Sequence, residues 1–337
     1  MRKTAVLIGF GGMGKRYYQT LKLMNFKIIA ICERKENFFL NSKKKSNIIL
    51  TNDYKKIINI KADLLCIASN TYSRVKIMKE FIKKKKISHI ITEKPLATNF
   101  KDCLDIFEQA KKNKIRLIVN THRTFSPNYF MVKNLFLKKK EKITSFVINS
   151  PSAGLGNMGS TFFDIGLFFL ESEPRSVVGE IDQTKTINPR GKKFKDPGGF
   201  GLIKFKDNKK MFFDLSENTG LPYILIAKSK NFEIKIDEIN NNFELISRPK
   251  LMQKKPLYFY LFKPNKKRLK LKHKFDVVKM TKYSIKKLFQ KNFDYENLKK
   301  SIKVMELIFA LFASSKEKKI IYLPLKKKYF KTNINFA

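Results

Sequence analysis

The sequence predicts an α/β protein in two parts: a doubly wound parallel sheet first, then a domain on an antiparallel or mixed sheet. Three observations carry this. Short apolar runs alternate with Lys-edged amphipathic segments as far as residue 120, the rhythm of strand–helix–strand units. A glycine cluster interrupts that rhythm directly after the first apolar run. Beyond about residue 122, strand-like runs follow one another across Gly, Asn and Asp turns without intervening helices, as antiparallel strands do.

The first run, T-A-V-L-I at 4–8, reads as a short, fully buried strand, and Gly9, Gly11, Gly12, Met13 and Gly14 follow at once. Strand, glycine turn and helix form the G-x-G-x-x-G context in which a backbone cradles a dinucleotide. Gly9 permits the tight turn, Gly11 bares the backbone to a pyrophosphate, and Gly14 brings helix and sheet together. The helix N-terminus then offers its N–H groups to the phosphates. That helix is expected over 15–24, with Tyr18, Leu21 and Met24 inward. The second strand, 27–32, ends in Glu33 and Arg34. An acid there accepts hydrogen bonds from the ribose hydroxyls and repels a 2′-phosphate, which favours NAD. Arg34 pairs equally well with a 2′-phosphate, so NADP stays possible.

Further strands are expected at 48–50, 63–68, 88–92 and 115–120, with helices at 53–60, 73–85 and 101–113. Ligands on such a sheet bind beyond the carboxyl ends of the strands. That places Gly11, Glu33, Ser69, Asn70, Glu93, Lys94, Asn120, His122 and Arg123 along one rim. The predicted domains are 1–121 for the dinucleotide and 122–337 for substrate and self-association. In the second, helices are expected at 130–139 and 298–315, and a glycine-rich turn at 154–159 leads into the apolar run 160–170. Strands are expected at 143–149, 177–182, 199–205, 210–215, 223–227, 232–236 and 320–325. Residues 248–274 give no readable pattern.

The formal net charge is +44, which alone would suggest nucleic acid or an anionic surface. By direct count only ten of the 72 basic residues are Arg, and short Lys runs are scattered through every segment. Such drift over solvated faces does not make a binding stripe, so nucleic acid is not expected as a partner. The exception is 254–274, where many Lys, Arg268 and several aromatics gather and an anionic partner would fit. Cys32, Cys66 and Cys103 form no C-x-x-C pair; buried reduced thiols and a cytoplasmic location are expected. The glycine cluster cuts the first apolar run too short for a signal peptide. No run has the length to span a bilayer, and no membrane is expected among the partners. No His, Cys and carboxylate cluster has metal-ligand spacing.

Several motifs occur in an order that resembles the Gfo/Idh/MocA oxidoreductases, the relatives of glucose–fructose oxidoreductase and inositol dehydrogenase. They are the glycine fingerprint, Glu33, E-K-P-L-A-T at 93–98, R-T-F-S-P at 123–127, and a late apolar helix followed by I-Y-L-P-L. The resemblance implies an N-terminal Rossmann domain and a C-terminal α+β domain on an open, mainly antiparallel sheet. It implies NAD or NADP as cofactor, a sugar-like substrate, and a homo-oligomer, dimer or tetramer. It makes Lys94 the residue near the nicotinamide and the reacting carbinol, where an ammonium exchanges a proton with the hydroxyl.

The chain departs from the family's D-x-G-x-H-x-x-D pattern. The matching stretch keeps Gly159 and Asp164 but carries Asn157 and Thr161 in the first Asp and the His slots. Thr has no titratable proton near neutral pH. Three outcomes stay open: Lys94 alone handles the proton, His122 takes the missing role, or a dinucleotide is bound without turnover. Ser69, Asn70 and Thr71 stand where T-P-N is usual. Asn120 and Arg123 suit substrate hydroxyls and anionic groups, with Asn157 and Thr161 beside them. The expected function is hydride transfer between a nicotinamide and a hydroxyl or keto carbon of a sugar, nucleotide sugar or cyclitol; the alternative is a nucleotide-binding sensor on the same fold.

Overall fold

The computed structural model describes residues 2–35, 47–152, 154–183, 188, 191–192, 194–271 and 273–336. The chain divides into two compact units, one of Met1–His122, Asp276–Met305 and Phe330–Ala337, the other of Arg123–Phe275 and Glu306–Tyr329.

In the first unit, six parallel strands are β1 (Thr4–Ile8), β2 (Lys27–Cys32), β3 (Ile49–Thr51), β4 (Ala62–Ile67), β5 (Ile87–Thr92) and β6 (Arg116–Val119). Their order is β3-β2-β1-β4-β5-β6, so the strand order reverses between β1 and β4, the crevice where such sheets hold ligands. Four of the five residues of β1 are buried, because helices cover both faces of a parallel sheet. The first three helices are α1 (Gly12–Leu23), α2 (Thr71–Lys84) and α3 (Phe100–Lys112). Asn70 and Asn99 start α2 and α3 by accepting the N–H groups of Ser73 and Asp102, satisfying donors that a helix start leaves open.

α1 begins three residues ahead of expectation, and its inner face is Gly14, Tyr17, Thr20 and Leu21. Tyr18 and Met24 are only half-buried against the same core. The phase is set by Gly14, whose contact with the turn fixes which residues three and seven positions on face inward.

The second unit holds α4 (Pro127–Lys138), α5 (Ser160–Leu170) and a nine-stranded sheet. Its strands are β7 (Ser145–Asn149), β8 (Pro174–Ile181), β9 (Gly199–Phe205), β10 (Lys210–Asp214), β11 (Ile224–Lys228), β12 (Phe232–Asp237), β13 (Asn242–Ser247), β14 (Asn265–Leu269) and β15 (Ile321–Tyr322). The order is β14-β13-β12-β11-β7-β10-β9-β8-β15. Only β7 and β10 pair in parallel; the other pairings are antiparallel. The core lies on the α5 face of the sheet, where Phe163 meets Phe213 and Phe169 meets Phe146. The expected glycine turn at 154–159 is a π-helical turn (Gly154–Gly159) running straight into α5. The expected strand at 320–325 shrinks to two residues.

Two late helices complete the chain, α6 (Val277–Leu288) and α7 (Glu296–Glu317). α6 belongs to the first unit, although 122–337 was read as one domain. Its Ile285 and Leu288 close the core around Leu21, Phe26 and Ile28, a burial that no local pattern in the second half announces.

Candidate nucleotide and catalytic site

The glycine turn is built by close backbone approach. Gly9 has φ +87°, and a Cβ there would lie 2.7 Å from the Ala68 carbonyl oxygen. A Cβ on Gly14 would lie 2.0 Å from the Gly9 carbonyl oxygen, so any side chain pushes α1 off the turn. At Gly11 and Gly12 an added Cβ meets nothing within 4 Å: the space before the turn is open. Gly11, the N-cap of α1, makes no side-chain cap, and the first turn of the helix holds no acid. The positive end of the helix dipole therefore faces that space without a carboxylate of its own first turn to neutralise it.

Glu33 lies beside the turn. Its Oε2 accepts the Phe10 N–H at 2.5 Å and its Oε1 the Lys35 N–H at 3.1 Å. Each carboxylate oxygen accepts more than one bond, so capacity for ribose hydroxyls remains. Arg34 is exposed. Asn70 was expected to face the cofactor, but its Oδ1 accepts from the N–H (3.0 Å) and hydroxyl (2.9 Å) of Ser73; that oxygen caps α2. Ser69 contributes its carbonyl to Arg74, whose Nη2 donates to it at 2.7 Å while Nη1 donates to the Pro95 carbonyl. Arg74, 2% exposed, thus ties the loop after β4 to the loop after β5. Sequence reasoning passed it over as one more helix cation. Its type was the available signal, since Arg is rare among the basic residues of this chain.

At the end of β5, Glu93 is buried rather than turned toward a ligand. Its Oε1 accepts from the Tyr17 hydroxyl at 2.8 Å and from Asn120 Nδ2 at 3.0 Å. Asn120 is fully buried, and its Nδ2 also lies 3.3 Å from Thr281 Oγ1. Two residues expected to touch cofactor and substrate instead hold each other, because a carboxylate leaving water needs its donors supplied. Burial and the Glu93 charge push the Tyr17 hydroxyl well above the ordinary tyrosine range, so it stays a donor. Lys94, the next residue, is partly exposed and joins Pro95 through a cis peptide. His122 is 7% exposed and opens a short 3-10 turn after β6.

Arg123 belongs to the second unit, where it is held by protein neighbours. Nε lies 2.9 Å from Glu238 Oε2, the guanidinium lies 4.6 Å from the Phe275 ring centroid, and Nη2 donates to the Tyr223 hydroxyl at 3.3 Å. Glu238 also accepts from Tyr129 (2.8 Å) and Tyr223 (2.5 Å). Burial alone would weaken the Arg123 charge, but Glu238, Tyr223 and Tyr129 together outweigh it and raise its pKa; burial and the Glu238 carboxylate raise Tyr223 to about 12. Asn157 gives its N–H to Asp196 Oδ2 at 3.0 Å, and Gly156 gives its own to Oδ1 at 2.7 Å. Asp196, missed from the sequence, anchors the entry to α5. Thr161 and Asp164 lie buried in α5, 5% and 1% exposed. Among the described residues no group of His, Cys and carboxylates has the arrangement of a metal site.

Residues 3–121 match the GFO_IDH_MocA family, described as an oxidoreductase family with an NAD-binding Rossmann fold. That match covers about a third of the chain, and over it the chain is similar to the Rossmann domain of this family. The myo-inositol 2-dehydrogenase of Thermotoga maritima is 29% identical over 150 residues, 43% of this chain and 42% of that protein; the match thus spans less than half of the relative. Three solved structures share the fold over 96% of this chain. A levoglucosan dehydrogenase in complex with NADH and levoglucosan has a TM-score of 0.77 at 13% identity, covering 100% of that chain. An NAD-binding protein from Listeria innocua has 0.74 at 16%, covering 97%. A super-repressor mutant of Gal80p from Saccharomyces cerevisiae has 0.77 at 12%, covering 98%. NAD is the cofactor this family's domain takes, and the open space before Gly11 and Gly12 fits a pyrophosphate.

Proposed function

We propose that this protein is an NAD-dependent oxidoreductase that moves a hydride between the nicotinamide and a hydroxyl or keto carbon of a sugar, nucleotide sugar or cyclitol. The observation that carries this is the open, uncapped start of α1 on the same sheet rim as Lys94. Backbone N–H groups of Gly12, Met13 and Gly14 hold the pyrophosphate, and Glu33 takes the adenosine ribose and disfavours a 2′-phosphate. Bound NAD supplies the hydride acceptor. As the carbinol carbon gives up its hydride, Lys94 manages the proton at the substrate oxygen; in the reverse direction its ammonium returns that proton to the carbonyl oxygen. His122, Asn157, Thr161 and Asp164 are the further substrate-side residues of this reading. Glu93 and Asn120 serve it from beneath, by fixing the strand end that carries Lys94.

Calorimetry with NAD⁺, NADH and NADPH tests the nucleotide site, and absence of heat with all three removes it. Lys94→Ala is expected to lower turnover roughly a hundredfold while NADH binding holds; unchanged turnover removes the proton role. A second reading has one observation in its favour: Thr161 fills the slot where the family resemblance implies a general base. The Gal80p likeness is in keeping with a regulatory protein on this fold. Nucleotide binding without NADH formation across a panel of sugars and cyclitols would select it. Self-association fits the face of the nine-stranded sheet where Phe200 and Phe212 stand exposed beside a hollow of about 690 Å³ that Ser314, Lys318 and Lys319 also line; sedimentation measures it. A cytoplasmic setting agrees with the buried thiols.

A further inference from the structure

Residues 250–270 take no part in the chemistry above, yet they display an unusual surface. Five consecutive hydrophobic residues, L-Y-F-Y-L at 257–261, are all exposed, Tyr258 at 73%, Tyr260 at 72% and Leu261 at 88%. Single exposed apolar residues are ordinary, but a contiguous run of this size marks an interaction surface. The run is built to face outward. Arg248, itself buried, donates through Nη2 to the carbonyls of Pro256 (3.3 Å) and Phe259 (3.2 Å) and lies over the Phe262 ring. The Phe259 N–H closes a turn onto Pro256. The Pro256 and Phe259 carbonyls are thereby held by Arg248, and the side chains of 257–261 are left outside.

The sequence around the tip carries only cations, with Glu244 of β13 opposite Arg268 in the sheet. No carboxylate occurs between Glu244 and Asp276. Lys254 and Lys255 precede the tip, and the edge strand β14 behind it carries Lys266, Lys267 and Arg268, all exposed. Lysines on an edge strand discourage pairing with another sheet, but that leaves the apolar tip unexplained.

We propose that this loop and edge strand dock the protein on an anionic lipid bilayer, the 257–261 tip entering the headgroup–acyl boundary and the flanking cations meeting the lipid phosphates. Aromatic rings and lysines suit nucleic acid and lipid alike. The aliphatic residues decide between them: Leu251, Leu257 and Leu261, at 79%, 59% and 88% exposed, have no face on which a base stacks, whereas the hydrocarbon of a bilayer would bury them. No helix of the described residues is long and apolar enough to cross a membrane, so attachment is peripheral, a mode that a search for spanning segments passes over. The proposal is independent of the oxidoreductase reading.

The full chain is mixed with vesicles of phosphatidylcholine alone, or with phosphatidylglycerol at about three to one, and pelleted at physiological salt, where polybasic attraction persists. Binding is expected to the mixed vesicles only. The double variant Leu257→Ser, Leu261→Ser keeps every charge and is expected to bind at least about tenfold more weakly, since apolar insertion is lost. Reversing Lys266, Lys267 and Arg268 to Glu is expected to weaken binding at least about a hundredfold, from roughly a fivefold effect per cation. The chain has no Trp, so Tyr260→Trp gives a single tryptophan, excited at a wavelength where the tyrosines do not absorb. Its emission should shift to the blue on mixed vesicles and be quenched by bromine-labelled acyl chains. Equal binding by the Leu double variant, or an emission blind to the acyl quencher, overturns the proposal as mere charge attraction. So does a tip fluorescence that responds to single-stranded oligonucleotide instead, or a Leu double variant that changes the oligomeric mass.

Discussion

Glu93 offers the sharpest test of how the rim is held. Both donors that reach it, the Tyr17 hydroxyl and Asn120 Nδ2, arrive at one oxygen, Oε1. Glu93→Gln keeps a carbonyl oxygen where both donors point and removes only the charge. The cost is the difference between charged and neutral hydrogen bonds, about 1 kcal/mol for each of the two and about 2 kcal/mol in all. Glu93→Ala removes the acceptor and leaves a hydroxyl and an amide N–H buried without it. At about 1–3 kcal/mol for each orphaned donor, the loss is about 2–6 kcal/mol, a large part of a domain's whole stability. Tyr17→Phe removes one donor and leaves the carboxylate its Asn120 bond, so it falls between the two. Urea unfolding followed by circular dichroism measures all three at constant m-value. The expected order of loss is Ala, then Phe at 17, then Gln. Gln as damaging as Ala would mean that charge, not acceptor geometry, governs the site; a harmless Ala would mean the network is decorative.

Other substitutions test other parts. Gly14→Ala puts a methyl 2.0 Å from the Gly9 carbonyl, and should abolish NADH binding by calorimetry while most of the far-UV spectrum persists; wild-type affinity would show that the turn yields freely. Glu238→Ala strips the buried Arg123 of its counter-ion and Tyr129 of its acceptor, and should cost about 3–5 kcal/mol in urea unfolding, whereas removing the exposed Lys299–Glu296 pair should leave the unfolding curve in place. The Thr4 N–H and hydroxyl hold Asp63 below the usual aspartate range. A folded-state pKa depressed in this way adds stability above the unfolded value and loses it as pH falls through the folded one. Asp63→Asn should therefore be less stable than wild type at neutral pH, with the difference closing in acid; a gap independent of pH would refute the assignment.

The first unit was legible because its strands are buried on both faces, which leaves continuous apolar runs that need no phase to recognise. β13 and β14 were not, and for different reasons. β13 alternates correctly, with Phe243 and Leu245 inward, but it is short and stands next to unreadable sequence. β14 is an edge strand whose first four residues are all exposed, so no period exists to be read. α6 failed for a third reason. Among its buried positions are Thr281 and Ser284, and an inward face that is partly hydroxyl carries little hydrophobic signal. Assigning 276–305 to the first unit needed the partner surface, which lies some 250 residues earlier in the chain at Leu21 and Thr20.

The site shows the same division between residue type and residue commitment. A polar residue at a strand end looks ligand-facing whether it meets ligand or protein, and sequence distance hides which. Glu93 finds Tyr17 76 positions away, Asn120 finds Thr281 161 positions away, and Arg123 finds Glu238 115 positions away. Once those pairs form, Glu93 Oε1, Asn120 Nδ2 and the Arg123 guanidinium are engaged with protein partners. The glycine turn contributes N–H groups, which read phosphates without regard to base or substrate, and Glu33 contributes carboxylate capacity. Lys94 contributes the ammonium, steadied from below by Glu93 and from beside by Arg74 on Pro95. A rim so arranged separates tasks: a backbone cradle insensitive to side-chain drift secures the nucleotide.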